Sequence, residues 1–209
     1  MTDTTSIPLF LGSVIAISLT GAMMPGPVTA VTITKGAQRR SAGLLVAFGH
    51  GVLELPLIVL IYFGLARFLD FPEVRIAVAV VGGAMLLWMA LNTLRAGPLA
   101  ANETKELPHS TILAGLATTA ASPYFFIWWA TIGAALIASA REFGGAGVAA
   151  MGLAHWLCDF GWLFLISWVV FKSKRLWTPR VDRAIAGASA AILGGFGVWF
   201  IVSGVQFAL

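Results

Sequence analysis

Polar residues are sparse along this chain, and their spacing divides it. Apolar runs of about 20 residues or more, the length that crosses a bilayer as a helix, fall six times: residues 7–34, 43–69, 72–94, 111–140, 147–171 and 184–207. The longest polar stretch, residues 97–110, separates the third run from the fourth and reads as a linker. The first and fourth runs are interrupted by proline, at Pro25-Gly26-Pro27 and at Ser122-Pro123. Proline removes a backbone donor and presses on the carbonyl four residues back. In a bilayer such a break is tolerated where protein or a polar cavity satisfies the freed groups. The pattern predicts an all-α membrane protein of six transmembrane helices, with helices 1 and 4 broken at the proline motifs.

Composition agrees. Of 209 residues 59% are hydrophobic and 11% charged, and the mean hydropathy is +0.91, whereas soluble domains carry about 25% charged residues. A lone cysteine, Cys158, excludes an internal disulfide and a Cys-x-x-Cys relay. The net charge of +4 is spread over loops and carries no nucleic-acid signal. No Lys or Arg precedes Lys35. The basic start of a signal peptide is lacking, so the first run is expected to be retained.

The basic residues set the orientation. Lys35, Arg39, Arg40, Arg95, Lys105, Lys172, Lys174, Arg175, Arg180 and Arg183 follow runs one, three and five; only Arg67, Arg75 and Arg141 lie on the other side. The positive-inside rule puts both termini outside, which makes the linker cytoplasmic.

The halves echo each other. A proline break, then His50-Gly-Val-Leu-Glu54, then Gly82-Gly83 in the first half match Ser122-Pro123, His155-Trp-Leu-Cys-Asp159 and Gly194-Gly195 in the second. Each half spends three helices, so the second enters the membrane from the opposite side. Residues 1–96 and 111–209 are expected to be inverted three-helix repeats joined by linker 97–110. Inverted repeats with broken helices in matching positions point to a secondary transporter with a midplane site.

Glu54 and Asp159 are the two acids deep within apolar runs, where a charge costs at least about 2.5 kcal/mol. Each has a histidine four residues earlier, on the same helix face. Burial disfavours an ionised carboxylate and a neighbouring imidazolium favours it, so such a pair can exchange protons near neutral pH. His50, Glu54, His155 and Asp159 are therefore the expected proton-coupling residues. A plainer reading makes each pair a self-satisfied polar contact that locks its helix. The breaks supply complementary groups. A helix restarting at Pro27 offers N–H groups near Val28 and Thr29, at the positive end of its dipole, to a carboxylate. The carbonyls freed upstream suit an ammonium. Pro25, Gly26, Pro27, Val28 and Thr29, with Thr119, Ser122, Pro123 and Tyr124 at the second break, are the expected substrate-binding residues, and a zwitterion fits that set. Trp128 and Trp129 either line the pathway or pack, as does Trp156. Gly187, Ala191 and Gly195 form a small-residue ladder that permits close helix approach.

These motifs resemble a family. Pro25-Gly26-Pro27, the following Lys35-Gly-Ala-Gln-Arg39-Arg40, Gly49-His50-Gly51 with an acid at position 54, the second proline motif, and His155…Asp159 with Trp162 and Ser167 together are similar to the lysine-exporter (LysE/RhtB) family over nearly the whole chain. The resemblance implies an inner-membrane exporter of amino acids or related metabolites, driven by the proton gradient, needing no cofactor, with six helices in two inverted halves and a homodimer. Ser122 stands where the family often has Asn, and Glu54 where it often has Asp; both departures bear on the substrate more than on the fold. A rival reading is a divalent-metal exporter with His50, Glu54, His155 and Asp159 as ligands. An enzyme is not expected: an intramembrane hydrolase needs a nucleophile beside a base, no Gly-x-Ser-x-Gly motif occurs, and Ser167 reads as a packing hydroxyl.

Overall fold

A computed structural model describes residues 6–24, 26–64, 71–95, 108–174 and 178–208, and among them the chain is helical with no strand. Helix α1 (Ile7–Ala22) carries Pro8 in its first turn, where a missing N–H has no cost. It ends before Met23. After an extended Gly26, α2 (Pro27–Gln38) restarts with proline as its first residue, bent 75° from α1. Helix α3 (Ala42–Tyr62) contains Pro56 and stops at Gly64, whose φ of +106° lies in the region that only glycine enters freely. The second apolar run is thus helical to Tyr62, short of its expected end at 69; residues 65–70, with Arg67, lie outside the described residues. Helix α4 is Pro72–Arg95. Most of the expected linker, with Lys105, is likewise outside the described residues, and α5 (Pro108–Ala120) begins within it.

Ser122 is extended, as the residue before a proline tends to be, and α6 (Pro123–Trp128) restarts at Pro123. It runs into a π-helical turn, Trp129–Gly133, then α7 (Ala134–Ala140). A 3₁₀ turn, Arg141–Phe143, and Gly144 at φ +69° end that run. Helices α8 (Gly144–Ser173) and α9 (Pro179–Ala208) have 30 residues each, about 45 Å at 1.5 Å per residue. Four stretches are long and apolar enough to cross a membrane, namely Ala42–Tyr62, Pro72–Arg95, Pro123–Ser173 and Pro179–Gln206; α1 with α2 makes a fifth if the bent pair is one span.

Small residues bring the helices together, as in lipid, where van der Waals packing replaces a hydrophobic drive. A Cβ on Gly49 would overlap the Ile112 carbonyl of α5, and one on Gly115 would overlap the Val46 carbonyl of α3. Gly43 sits equally tight on the Leu163 carbonyl of α8, which joins α3 to both neighbours. Helices α4 and α9 meet at Gly83 and Gly197. The expected counterpart, Gly194-Gly195, is looser: a Cβ would find open space at Gly195, as it would at Gly187.

Two apolar clusters form the core. One gathers Phe10 and Val14 of α1, Leu57, Ile58 and Ile61 of α3, Leu136, Ile137 and Ala140 of α7 and Met151 of α8. The other gathers Ala30 and Val31 of α2, Val46 and Ala47 of α3, Leu163 of α8, and Leu86, Leu193 and Phe200 of α4 and α9. Along α3 the interval between them holds His50 and Glu54, and along α8 it holds His155 and Asp159. The polar residues therefore lie, along both helices, between two apolar clusters.

Candidate functional site

Helix periodicity puts His50 and Glu54 on one face of α3, and His155 and Asp159 on one face of α8. Gly43 and Leu163 hold these helices close enough for the faces to meet. The result is not two closed pairs. His50 Nε2 lies 3.0 Å from Glu54 Oε1, and His155 Nε2 lies 3.1 Å from the same oxygen. Trp129 Nε1–H donates to it as well, at 3.3 Å. Asp159 Oδ2 is 3.4 Å from His155 Nε2 and 3.7 Å from His50 Nε2. The i,i+4 contacts exist, but both imidazoles converge on Glu54, so the two motifs form one cluster. Glu54 is fully buried; its Oε2, and Asp159 Oδ2, have no hydrogen-bond partner.

Each imidazole is held from behind by a hydroxyl of the other half of the chain. His50 Nδ1 is 2.9 Å from Thr119 Oγ1 on α5, and His155 Nδ1 is 2.8 Å from Ser18 Oγ on α1. Thr119 also lies 2.8 Å from the Gly115 carbonyl, which can only accept, so its hydrogen is committed there. The assignment that satisfies every group has His50 Nδ1–H donating to Thr119. A second hydrogen is then needed between His50 Nε2 and Glu54, as imidazolium or as carboxylic acid. Ser18 donates to no carbonyl among the described residues. It can give its hydrogen to His155 Nδ1 while His155 Nε2–H donates to Glu54. One neutral histidine and one proton-holding His50–Glu54 pair complete the count.

Around this cluster lies a cavity of about 120 Å³. Of the expected substrate residues Gly26, Pro27, Val28, Thr29, Thr119, Ser122 and Tyr124 line it, with His50, Glu54, His155 and Asp159; Pro123 is buried but not in its wall. Pro25 lies outside the described residues. Trp128 and Trp129 line the cavity, joined by Phe125, Leu163 and Phe196. Both indoles pack on His155, with ring centres 5.0 Å apart in each case, Trp128 tilted at 33° and Trp129 edge to face at 74°. Trp156 instead packs on Gly51. Ser18 and the Trp129 donor were not expected from sequence. A faint signal existed: in both halves a hydroxyl precedes the proline break on the same broken run, Ser18 before Pro25 and Thr119 before Pro123.

His50, Glu54 and Asp159 each offer a ligand atom within 4.8 Å of the others. The set of one imidazole and two carboxylates is of a kind that zinc or manganese accepts.

A multi-helix apolar protein with a cluster of ionisable side chains set in a cavity between two apolar clusters has the make-up of a membrane translocator. The chain belongs to the LysE type translocator family, whose model matches residues 19–204. It is also similar to the chemotactic transduction protein ChpE of Pseudomonas aeruginosa, at 28% identity over 182 residues, which is 81% of this chain and 87% of that one. No solved structure matches it. Family membership makes this a transport protein of the membrane.

Proposed function

We propose that the protein is a secondary exporter of amino acids or related small zwitterionic metabolites, working by proton-coupled exchange. It is a multi-pass protein of the inner membrane with both termini outside, built from inverted repeats 1–96 and 111–209 and linker 97–110. The observation that carries this reading is the pair of bare, buried carboxylate oxygens, Glu54 Oε2 and Asp159 Oδ2, on two residues that line the same cavity as the first turn of α2. A buried carboxylate without a donor is costly, and an ammonium supplies the donors. The start of α2 supplies N–H groups for a carboxylate. Proton coupling draws on the hydrogen required between His50 and Glu54. A cation that displaces it from Glu54 exchanges one positive charge for another, which is what antiport requires. The crossed bonds, His50 to Thr119 and His155 to Ser18, support the repeat: each half's broken helix steadies the other half's histidine. The open face of α9 at Gly187 and Gly195 suits a homodimer, which cross-linking in membranes tests.

One observation favours a second reading, in which the exported solute is a divalent metal ion: the convergence of His50, Glu54 and Asp159. A single panel separates the two. Export of amino acids, zinc and manganese is measured from cells with and without the protein. Amino-acid export that depends on the protein, with no change in metal content, is the expected result. Metal export, with zinc or manganese binding by calorimetry that is lost in His50→Ala, would replace it.

A further inference from the structure

We infer that the cavity selects neutral amino acids with apolar side chains and discriminates against lysine and other dibasic ones. The inference rests on the amino-acid reading above and narrows it. The cavity has one cation-accepting end. Its two acids are not spread along the wall; Glu54 and Asp159 converge with His50, one ligand atom of each within 4.8 Å of the others, so together they make one cation site and not two. It also has one anion-accepting end. α2 has 12 residues and begins at Pro27. Among the described residues the first backbone bond across its start is Ala30 N–H to the Gly26 carbonyl. The first-turn N–H groups of a helix have no partner within it, and Val28 and Thr29 line the same cavity as Glu54 and Asp159, whose Oε2 and Oδ2 are bare and buried. A zwitterion bridging the two ends has its orientation fixed, and its side chain must point at what remains of the wall.

That remainder is uncharged and mostly apolar. Tyr124, Phe125, Leu163 and Phe196 line it with Thr29 and Ser122, and no lysine, arginine or third acid does among the described residues. A second ammonium there would lose its water and gain no carboxylate. Cation–π contact offers little relief. Trp128 and Trp129 already pack against His155 and, edge to face, against each other, and Phe125 sets its ring against His50 at 5.2 Å. An apolar side chain, by contrast, buries surface on every side.

Proteoliposomes holding the full chain are loaded in parallel with labelled leucine, phenylalanine or lysine, and efflux is followed under an imposed pH gradient. Leucine or phenylalanine should leave at least about 10-fold faster than lysine, a modest discrimination for a site that leaves a charge unpaired. Unlabelled leucine in the lumen should slow labelled efflux, and unlabelled lysine should not. Lysine leaving as fast as leucine, or competing equally, overturns the inference and leaves amino-acid export standing. If none of the three leaves faster than from protein-free liposomes, the amino-acid reading itself fails. A Leu163→Asp variant gives an independent check by adding an acid to the apolar wall. The lysine-to-leucine ratio of binding, read by thermal shift of the purified protein, should rise; an unchanged ratio in a folded variant overturns the inference.

Discussion

Glu54 is the residue on which the site turns. One of its oxygens has three nitrogen partners and the other has none. Such an uneven load is stable only because the donors are fixed from behind. Thr119 does the fixing for His50, and its hydrogen is committed to Gly115, so removing the hydroxyl leaves a buried N–H without an acceptor. Thr119→Val, nearly the same shape, should destabilise the protein by about 1–3 kcal/mol, read from thermal melts in detergent. A change within error would mean that the contact contributes nothing. The acids and histidines were legible in the sequence because charges within apolar runs are rare. Ser18 was not. Hydroxyls in membrane helices usually bond back to their own turn, and Ser13, Thr32 and Thr34 do so here, to Leu9, Val28 and Ala30. The place of Ser18 before the first proline break is shared by Ser13, so that signal does not single out Ser18, which reaches across to α8.

At the scale of elements the breaks matter more than the helices. The proline motifs located them, because proline cannot take the bond a continuous helix requires. The π-turn at Trp129–Gly133 left no such mark: its residues suit an ordinary helix. Its consequence is local. A Cβ on Gly133 would overlap the Trp129 ring, so glycine there allows the indole to lie where its N–H reaches Glu54. Gly26 has a different role. Its backbone is extended, at φ −167°, and open to any residue; a Cβ there would meet only the Met24 carbonyl, at 3.9 Å. Gly26→Ala should therefore fold and transport. Gly26→Leu should fold, bind substrate at least about 10-fold more weakly and transport correspondingly less, because its side chain fills cavity that an apolar ligand needs. Equal transport by both variants would reduce the break to a kink.

For the whole molecule, the site's position between two apolar clusters is the main point. Those clusters put low-dielectric material on both sides of the His50–Glu54 pair along α3 and α8. One end is further tied by Arg141, which donates to the Tyr62 carbonyl and lies 4.6 Å over the Tyr62 ring. The sequence made the membrane class and the helix order readable, since hydropathy reports them directly. It could not reveal that the two His–acid motifs merge into one cluster. That follows from how closely Gly43 and Leu163 let α3 and α8 approach, and close approach is a property of pairs of helices rather than of either one. The central claim is that this merged cluster couples protons to solute. Proteoliposomes carrying wild type, Glu54→Gln or Asp159→Asn provide the most direct test, with solute efflux and internal pH recorded together under an imposed gradient. Wild type should move solute and protons in opposite directions at a fixed ratio, and both variants should stay folded yet lose gradient-driven efflux. Wild-type rates and ratio in both variants would contradict the account.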